Sequence, residues 1–372
     1  MIIAGEVSGD MRAAEVAQAL RSQSPSLQMN GVGGERMKQA GVECFADITQ
    51  LAVIGFVEVI KNYGRIKKVF DQILEEIDRR RPDAVLLIDY PGFNLRLAKE
   101  LKERNIKVIY YISPQVWAWR EQRIKLIKKV TDKMMVLFAF EQAFYKKHKM
   151  EVDFVGHPLM DEIKITTDPR EVLVSLGFHT GHSVIGLLPG SREKEITRHL
   201  PVMIKAAEIL HKKNQQRQFM VLKATGIDED LINSITRRAT CPIRIVEQRS
   251  YNEFNTLTAC IVSSGTATLE AAILKKPMVI IYKTSWLTYL IAKLFVKIPN
   301  IGLANIVAGK TIVPELIQNK ATGENIASEM EKLLSDHKLT HRIQKEFSKF
   351  PIWLGDPGAS QRAAKIILKE IA

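Results

Sequence analysis

The side chains best suited to chemistry follow apolar, strand-like runs of the sequence. Asp89 lies in IDYPGF (88–93), directly after a run of aliphatic residues. A buried carboxylate is costly unless it has a partner or a task. At the end of a strand it can act as a general base that accepts the proton of a sugar hydroxyl. A helix N-cap or a structural ion pair is the alternative interpretation.

The stretch LLPGSREKE (187–195) has the residue types of a phosphate-binding loop. An apolar run ends in Pro-Gly-Ser-Arg, and a helical pattern begins. Ser191 can cap that helix, whose N-terminus favours an anion. Arg192 adds a guanidinium that can bind a diphosphate through two hydrogen bonds. The GxxxxGK(S/T) spacing of a P-loop is absent.

A second loop of this kind is SSGTATLE (263–270). Gly265 and Thr266 are small residues that let the backbone approach a ligand closely. Glu270, one turn into the helix, can accept hydrogen bonds from both hydroxyls of a ribose. The alternative for Glu270 is a surface position stabilised by the helix dipole. The two loops and this carboxylate together indicate a nucleoside diphosphate site.

The first half of the chain offers contacts for a sugar. The loop AGEVSGD (4–10) joins a strand to a helix, where free backbone N–H groups favour an anion, although a tight connection alone explains its glycines. SPQVWAWR (113–120) carries two tryptophans that either form the wall of a sugar or acyl pocket or pack in the core. The predicted sugar contacts are Glu6, Ser8, Asp10 and Trp117.

The elements that must position these residues alternate between strand and helix patterns. This alternation predicts an α/β fold with doubly wound parallel sheets. The predicted strands are 1–5, 84–90, 107–113, 133–140 and 152–156, then 183–190, 218–224, 242–248, 260–264 and 277–283. The helical patterns include 11–22, 93–104, 120–129, 141–148 and 266–275.

The alternation of strand and helix patterns is interrupted once, which predicts two domains. Prolines and acids at 157–172 indicate a linker. We therefore expect Rossmann-like domains at 1–160 and 161–344, with the C-terminal segment 345–372 available to pack back on the first. Ligands bind at the carboxyl ends of parallel strands, so the cleft between the domains is the expected active site.

Composition indicates the kind of partner and the cellular compartment of the protein. The 372 residues are 46% hydrophobic and carry a formal charge of +13, which favours an anionic partner or, more simply, a solvated basic surface. The three cysteines form no CxxC pair, which argues against zinc or disulfides and fits a reducing cytoplasm. The sequence shows neither a signal-peptide pattern nor an uncharged run of about 18 residues, so we expect a cytoplasmic protein, free or peripheral.

An apolar stretch, LAVIGFVEVI (51–60), precedes a basic stretch, KNYGRIKKVF (61–70). As a helix, this region places apolar residues 53, 56, 57 and 60 on one stripe, which can pack on the first domain, and 59, 63, 66 and 70 on another. We predict that the second stripe is exposed and enters the headgroup region of an anionic membrane; burial of both stripes is the alternative. The predicted membrane contacts are Val59, Lys61, Tyr63, Arg65 and Ile66.

Several motifs, in order along nearly the whole chain, resemble those of lipid-A-disaccharide synthase, a family of inverting glycosyltransferases with the GT-B fold. They are AGEVSGD, LAVIGFVEV, IDYPGFN, YISPQVWAWR, FVGHPLMD, LLPGSREKEI, SSGTATLEAA and LANIVAGKTIVPELIQ. The resemblance implies that UDP-2,3-diacylglucosamine donates its sugar to 2,3-diacylglucosamine 1-phosphate (lipid X). The implied products are a β-1,6 disaccharide 1-phosphate and UDP, made on the cytoplasmic face of the inner membrane without metal or redox cofactor.

The resemblance also implies functional positions. They are Asp89, Arg192, Glu270 and Asn305 in LANIVAG. The chain departs from the family pattern at Gly92, where a second acid is common, which leaves Asp89 as the only acid of its loop. It departs again at Ala304, where proline is frequent, so we expect a looser turn at Asn305.

Other functions predict different features. Another GT-B enzyme with a soluble UDP-sugar, such as a hexose transferase or a UDP-GlcNAc epimerase, would not need an apolar surface patch. A nucleic-acid-binding protein would interleave aromatic residues and arginines over a basic face. Here the aromatic residues follow strands, so no nucleic-acid partner is expected. The sequence is compatible with an oligomer.

Overall fold

The computed structural model describes residues 1–47, 63–286, 289–290 and 298–372. The chain divides into two compact units. The first comprises Met1–Asp161 and Leu354–Ala372, and the second comprises Glu162–Trp353. The first division falls next to the predicted boundary at residue 160. The C-terminal segment belongs to the first unit, but it joins that unit from residue 354 rather than from 345.

The first unit contains a seven-stranded parallel sheet. Its spatial order is β3-β2-β1-β4-β5-β6-β7. The order reverses between β1 and β4, and ligands bind at such switch points. The strands are β1 Ile2–Ala4, β2 Asn30–Val32, β3 Glu43–Ala46, β4 Ala84–Ile88, β5 Lys107–Tyr111, β6 Lys133–Val136 and β7 Asp153–Phe154.

Helices cover both faces of this sheet. They are α1 Val7–Gln23, α2 Glu35–Gln39, α3 Tyr63–Arg80, α4 Pro91–Glu103, α5 Ile124–Val130 and α6 Ala139–Lys147, with α7 Leu159–Glu162 at the division and α17 Ala359–Ile371 at the C-terminus. Helix α17 packs against α1, where the Gln23 amide nitrogen donates to Gln361 Oε1 at 2.9 Å. Helices α3, α4 and α5 pack apolar residues such as Ile73, Leu97 and Ile127 against the central strands.

The second unit contains a six-stranded parallel sheet in the order β10-β9-β8-β11-β12-β13. Its strands are β8 Val184–Leu188, β9 Gln218–Lys223, β10 Ile243–Glu247, β11 Ala259–Ser263, β12 Met278–Tyr282 and β13 Glu315–Ile317. Its helices include α8 Pro169–Ser175, α9 Glu193–Lys213, α10 Glu229–Thr236, α11 Tyr251–Asn255, α12 Ala267–Ile273, α13 Leu303–Ala308, α14 Gly323–Ser335, α15 His337–Phe347 and α16 Phe350–Leu354. The predicted doubly wound parallel sheets are therefore confirmed.

Several element boundaries differ from the prediction for local reasons. The strand predicted at 133–140 ends at Val136, because the Glu141 carboxylate accepts the backbone N–H of Phe138 and starts α6 at Ala139. The predicted linker 157–172 contains α7 and the start of α8. Three short strands, β2, β3 and β13, went unpredicted because each has only three or four residues and a polar side chain.

Helix α3 corrects the predicted membrane stripe. Ile66 and Phe70 are half-buried and pack against the core, and the Phe70 ring lies 5.4 Å edge-on from Phe93. The prediction that they are exposed is wrong, because α3 turns this side toward the sheet. Arg65 is exposed. Val59, Lys61 and the side chain of Tyr63 lie outside what the structure describes.

Of the helices in the described ranges, none is both long and apolar enough to cross a bilayer.

Candidate active site

Asp89 lies in a strained turn at the carboxyl end of β4. Asp89 and Tyr90 both adopt left-handed backbone conformations, with φ values of 44° and 45°. This conformation costs a non-glycine residue about 1–2 kcal/mol. Such strain persists only where the surroundings hold the backbone in place. The turn therefore requires specific support, which neighbouring side chains supply.

Buried polar groups supply that support. The Asn94 side chain, which is fully buried, donates through Nδ2 to the carbonyl oxygens of Ile88 at 3.1 Å and Asp89 at 2.8 Å. The Tyr110 hydroxyl donates to the same Asp89 oxygen at 2.6 Å. The Asp89 N–H donates to the carbonyl of Tyr111 at 3.0 Å. These bonds fix the main chain of Asp89 and leave its carboxylate for another role.

The surroundings make Asp89 a stronger base than an ordinary aspartate. Burial, and then the negative charge of Glu6, raise its pKa to about 6, while the Tyr90 backbone N–H opposes the shift. At neutral pH such a carboxyl is mostly ionised yet accepts a proton readily. This combination is the one expected of a general base.

The β1–α1 loop brings Glu6 close to Asp89. Gly5 makes this possible: a Cβ at that position would lie 2.3 Å from a carbon of the Tyr90 ring. Glu6 is half-buried at the N-cap position of α1, and Ser8 is exposed on the first helical turn. The structure thus brings the predicted Glu6 and Asp89 together at one edge of the sheet.

The Asp10 side chain is bound within the fold. Its buried carboxylate accepts backbone N–H groups of Gly34 at 2.7 Å, Arg36 at 3.1 Å and Met37 at 3.2 Å. These contacts cap the start of α2. The contact of Asp10 with a sugar stays a prediction.

Trp117 is half-buried in an aromatic group that follows β5 and β6. Its indole N–H donates to Glu141 Oε1 at 3.2 Å, and its ring lies edge-on to Phe140 at 5.1 Å. Burial raises the pKa of Glu141 to about 7, although backbone N–H groups donate to its carboxylate. The sequence analysis missed Glu141, whose only signal is its place in the first turn of α6. Of the two tryptophans in 113–120, Trp119 is the exposed one.

In the second unit, the loop after β8 is closed by a carboxylate from α9. Glu195 Oε2 accepts the Ser191 N–H at 3.1 Å, and Oε1 accepts Arg192 Nη1 at 3.1 Å. At Gly190, with φ of 120°, a Cβ would lie 2.3 Å from Glu195 Oε2, so glycine is required. Ser191 does not cap α9, because Arg192 holds the N-cap position. Glu195, missed from the sequence, thus binds both the Ser191 N–H and the Arg192 side chain in the predicted phosphate-binding loop.

The loop after β11 presents an open backbone. A Cβ on Gly265 would meet nothing within 4 Å, and Thr266 is exposed at the N-cap of α12. Glu270 is half-buried in the first turn of that helix. Thr268 steadies the loop by donating to the Gly265 carbonyl at 2.8 Å. The structure thus places Gly265, Thr266 and Glu270 on one strand–helix connection.

Asn305 is also bound within the fold. Its side chain is fully buried, and Nδ2 donates to the Val313 carbonyl at 2.9 Å and to Glu315 Oε1 at 2.8 Å. Its Oδ1 accepts the N–H groups of Ile312 at 2.7 Å and Val313 at 3.1 Å. With every side-chain donor and acceptor used, Asn305 holds the 312–315 segment in place, and its contact with UDP stays a prediction. The expected loose turn is instead tied by these four bonds.

In the described ranges, no three His, Cys, Asp or Glu side chains are grouped so that they could hold a metal ion. His157 accepts the Leu159 N–H at Nδ1, and burial followed by the charge of Arg12 lowers its pKa to about 3. His157 is therefore a neutral structural group at physiological pH. The absence of a metal or redox cofactor stays a prediction.

Two parallel-sheet units with strand–helix loops at their carboxyl edges define a GT-B-type fold. Similar solved structures include UDP-GlcNAc 2-epimerase from Neisseria meningitidis, with TM-score 0.67, 13% identity and 99% of both chains covered. A glycosyltransferase from Rickettsia africae ESF-5 gives TM-score 0.59 and 14% identity over 100% of this chain and 98% of its own. At such identities these likenesses establish the fold alone.

Sequence comparisons identify the family. A family model described as lipid-A-disaccharide synthetase matches residues 1–368. The lipid-A-disaccharide synthase of Syntrophus aciditrophicus is 42% identical over 99% of this chain and 96% of its own length. That of Geobacter sulfurreducens is 40% identical over the same shares. The chain belongs to the lipid-A-disaccharide synthase family and is a glycosyltransferase. A soluble-sugar GT-B enzyme is not favoured.

Proposed function

We propose that the protein transfers the sugar of UDP-2,3-diacylglucosamine to 2,3-diacylglucosamine 1-phosphate. The products are the β-1,6 lipid A disaccharide 1-phosphate and UDP. The observation that carries the proposal is Asp89, a carboxyl with its pKa raised to about 6 and its main chain held by buried groups. Family membership supplies the disaccharide chemistry, and the acyl groups of the substrates are part of the proposal.

In this reaction Asp89 acts as the general base. It accepts the proton of the acceptor 6-hydroxyl while that oxygen attacks the anomeric carbon of the donor. The bond from this carbon to the UDP oxygen breaks, and UDP leaves with the electron pair. Attack opposite the leaving group inverts the configuration. The charge of Glu6 contributes by raising the proton affinity of Asp89.

The loops of the second unit bind the donor. Arg192 exchanges its Glu195 partner for the diphosphate and stabilises the charge that develops on UDP. The proposed nucleotide contacts are Ser191, Arg192, Gly265, Thr266 and Glu270. Of these, Gly265 and Thr266 present open or exposed backbone. Asn305 contributes indirectly by positioning the segment after α13.

A peripheral position on the cytoplasmic face of the inner membrane completes the proposal. Both acyl substrates reside in a bilayer, so the protein must work at its surface. Exposed Arg65, Lys67 and Lys68 on α3 favour anionic lipid, at about 1 kcal/mol for each charge near the leaflet. Ile66 is not an insertion residue, since it packs on the core. An exposed tryptophan, Trp119, suits the interface.

The direct experiment incubates the protein with both diacyl sugars and detects products by mass spectrometry. The expected result is UDP together with a disaccharide monophosphate, both lost in Asp89→Asn. A parallel reaction with UDP-GlcNAc and a soluble acceptor should give neither product. Turnover of the soluble pair without the acylated pair would contradict the proposal and favour a soluble-sugar enzyme.

A further inference from the structure

Basic side chains on the α3–α5 side of the first unit fall into two groups. Near the amino ends of the strands, several of them are paired with acids. The pairs include Arg79 and Arg80 with Glu76, Lys102 with Asp132, and Arg104 with Asp78 and Glu100. These paired charges are locally neutralised.

The opposite end of the same helices carries unneutralised charge. Each helix of a strand–helix–strand unit begins at the carboxyl edge of the sheet, which is the edge that holds Asp89. Within the parts of the chain that the structure describes, the basic residues of this end make no ion pair. They are Arg65, Lys67, Lys68, Arg96, Lys99, Arg120 and Arg123. This end therefore attracts anions.

Three of these arginines form a cluster. A single 3-10 turn links two of them, since the Arg123 N–H donates to the Arg120 carbonyl at 2.9 Å. The Arg120 guanidinium lies 4.4 Å above the ring of Trp119, which restricts its position. Arg96 lies on the exposed side of α4, which packs against α5 just after this turn. We call Arg96, Arg120 and Arg123 the arginine cluster.

The charges of the arginine cluster act on one another and on a tyrosine that binds the Asp89 turn. Burial, followed by the charges of Arg120 and Arg96, lowers the pKa of Arg123. Tyr110, whose hydroxyl binds the Asp89 carbonyl, also interacts with the charge of Arg123. One tyrosine hydroxyl thus binds the main chain of Asp89 and interacts with the charge of Arg123.

Glu121, the acid of this turn, pairs with His148, so none of the three arginines has an acidic partner among the described residues and the cluster suits an anion. Each guanidinium has a planar set of N–H donors that matches the oxygens of a phosphate. One phosphomonoester can accept hydrogen bonds from several guanidinium groups. We propose that the arginine cluster binds the phosphate group of the sugar acceptor, an inference that rests on the proposed function. The 1-phosphate and the CH₂OH group that carries the 6-hydroxyl are substituents of one pyranose ring. Holding the phosphate therefore directs the hydroxyl toward Asp89.

The test compares the phosphorylated acceptor with the same diacylglucosamine lacking its phosphate. In mixed micelles, kcat/KM for the two acceptors gives a preference ratio for each variant. The wild type should favour the phosphorylated acceptor. Arg123→Gln should lower the ratio about 10- to 100-fold, and Arg96→Gln and Arg120→Gln should also lower it, because each removes a charged hydrogen bond. The KM for the UDP-sugar should not change.

Arg104→Gln is the matched control. Arg104 follows the far end of α4 and is paired with Asp78 and Glu100, so its loss should leave the ratio unchanged. Arg123→Lys keeps the positive charge without the planar set of donors and should give an intermediate preference ratio. Sedimentation with phosphatidylglycerol vesicles tests whether the cluster binds a lipid headgroup instead. In that case the cluster variants would bind vesicles more weakly and keep the wild-type preference ratio, which would overturn the inference.

Binding without turnover separates this inference from the proposed function. With no donor present, the wild type should bind the phosphorylated acceptor at least tenfold more tightly than the dephosphorylated one. Arg123→Gln and Arg96→Gln should lose that preference. If the wild type forms disaccharide but the variants keep the preference, the inference fails and the function stands. If no disaccharide forms, the function fails, and the binding preference still decides the role of the cluster.

Discussion

The two loops that carry the proposed chemistry are held in opposite ways. At Asp89, buried partners bind the main chain, through Asn94 and Tyr110, and the carboxylate is spared. At Arg192, the charged side chain is itself paired, with Glu195, and about half of it is exposed. A base must stay in place throughout the reaction, whereas a phosphate-binding arginine must exchange its protein partner for the substrate. Separate sets of contacts therefore hold the first loop rigid and leave the side chain of the second able to exchange.

The largest expected effect comes from removing the base. Asp89→Asn keeps the shape of the side chain and removes its basicity, so kcat should fall by about 10²–10⁴. The measurement is initial rate at saturating substrates, with circular dichroism to establish folding. Near-normal turnover by a folded variant would show that Asp89 is not the base.

The next effect tests whether the turn at Asp89 must be rigid. Asn94→Ala removes two donated bonds from the Ile88 and Asp89 carbonyls. We expect about 1–3 kcal/mol lower free energy of unfolding and a tenfold or greater loss of kcat, because small misplacements of a reacting group are costly. Urea denaturation and steady-state kinetics measure both. Lost stability with unchanged kcat would mean that the turn needs no such support.

A smaller effect is expected at the exchangeable loop. Arg192→Ala removes a guanidinium from the proposed diphosphate site, so UDP should bind about 10- to 100-fold more weakly. Isothermal titration with UDP measures this. Arg170→Ala, on an exposed helix of the same unit outside the loop, is the control and should bind UDP normally. Equal affinities for all three proteins would remove Arg192 from the site.

The partner of Arg192 should change UDP affinity in the opposite direction. Glu195→Gln keeps a neutral acceptor for the Ser191 N–H but removes the charge that competes with the diphosphate. We expect UDP to bind about two- to fivefold more tightly, the difference between a charged and a neutral hydrogen bond at a partly exposed site. Weaker binding of UDP by Glu195→Gln would show that Glu195 orients Arg192 instead of competing for it.

The sequence was informative where chemistry depends on position along a strand. Asp89 and Gly265 each follow a buried strand in a parallel sheet, and the alternation of patterns places both at a carboxyl edge. Polar residues saturated by tertiary contacts were not distinguishable from ligands. Asp10 caps α2 and Asn305 holds 312–315, and their bonds join segments that no local pattern relates.

Two further differences have the same origin. Ile66 was predicted to be exposed because helical periodicity shows which residues share a stripe. It does not show which stripe faces the sheet. Glu141 and Glu195 were missed because a glutamate in a first helical turn is ordinary. Only the fold shows that one is buried beside Trp117 and the other closes the Gly190 loop.

The pH dependence of kcat/KM tests the central claim, that Asp89 is a base tuned by its surroundings, most directly. Asp89 must be ionised to accept a proton, so the rate should fall as pH drops through about 6. Glu6→Gln removes a negative charge that opposes ionisation. The pKa of Asp89 should then fall toward its ordinary value near 4, and the acidic limb should move to lower pH. A limb near pH 6 that shifts downward in Glu6→Gln is the predicted result. A profile that is flat between pH 5 and 7, or a limb unmoved by Glu6→Gln, would contradict the account.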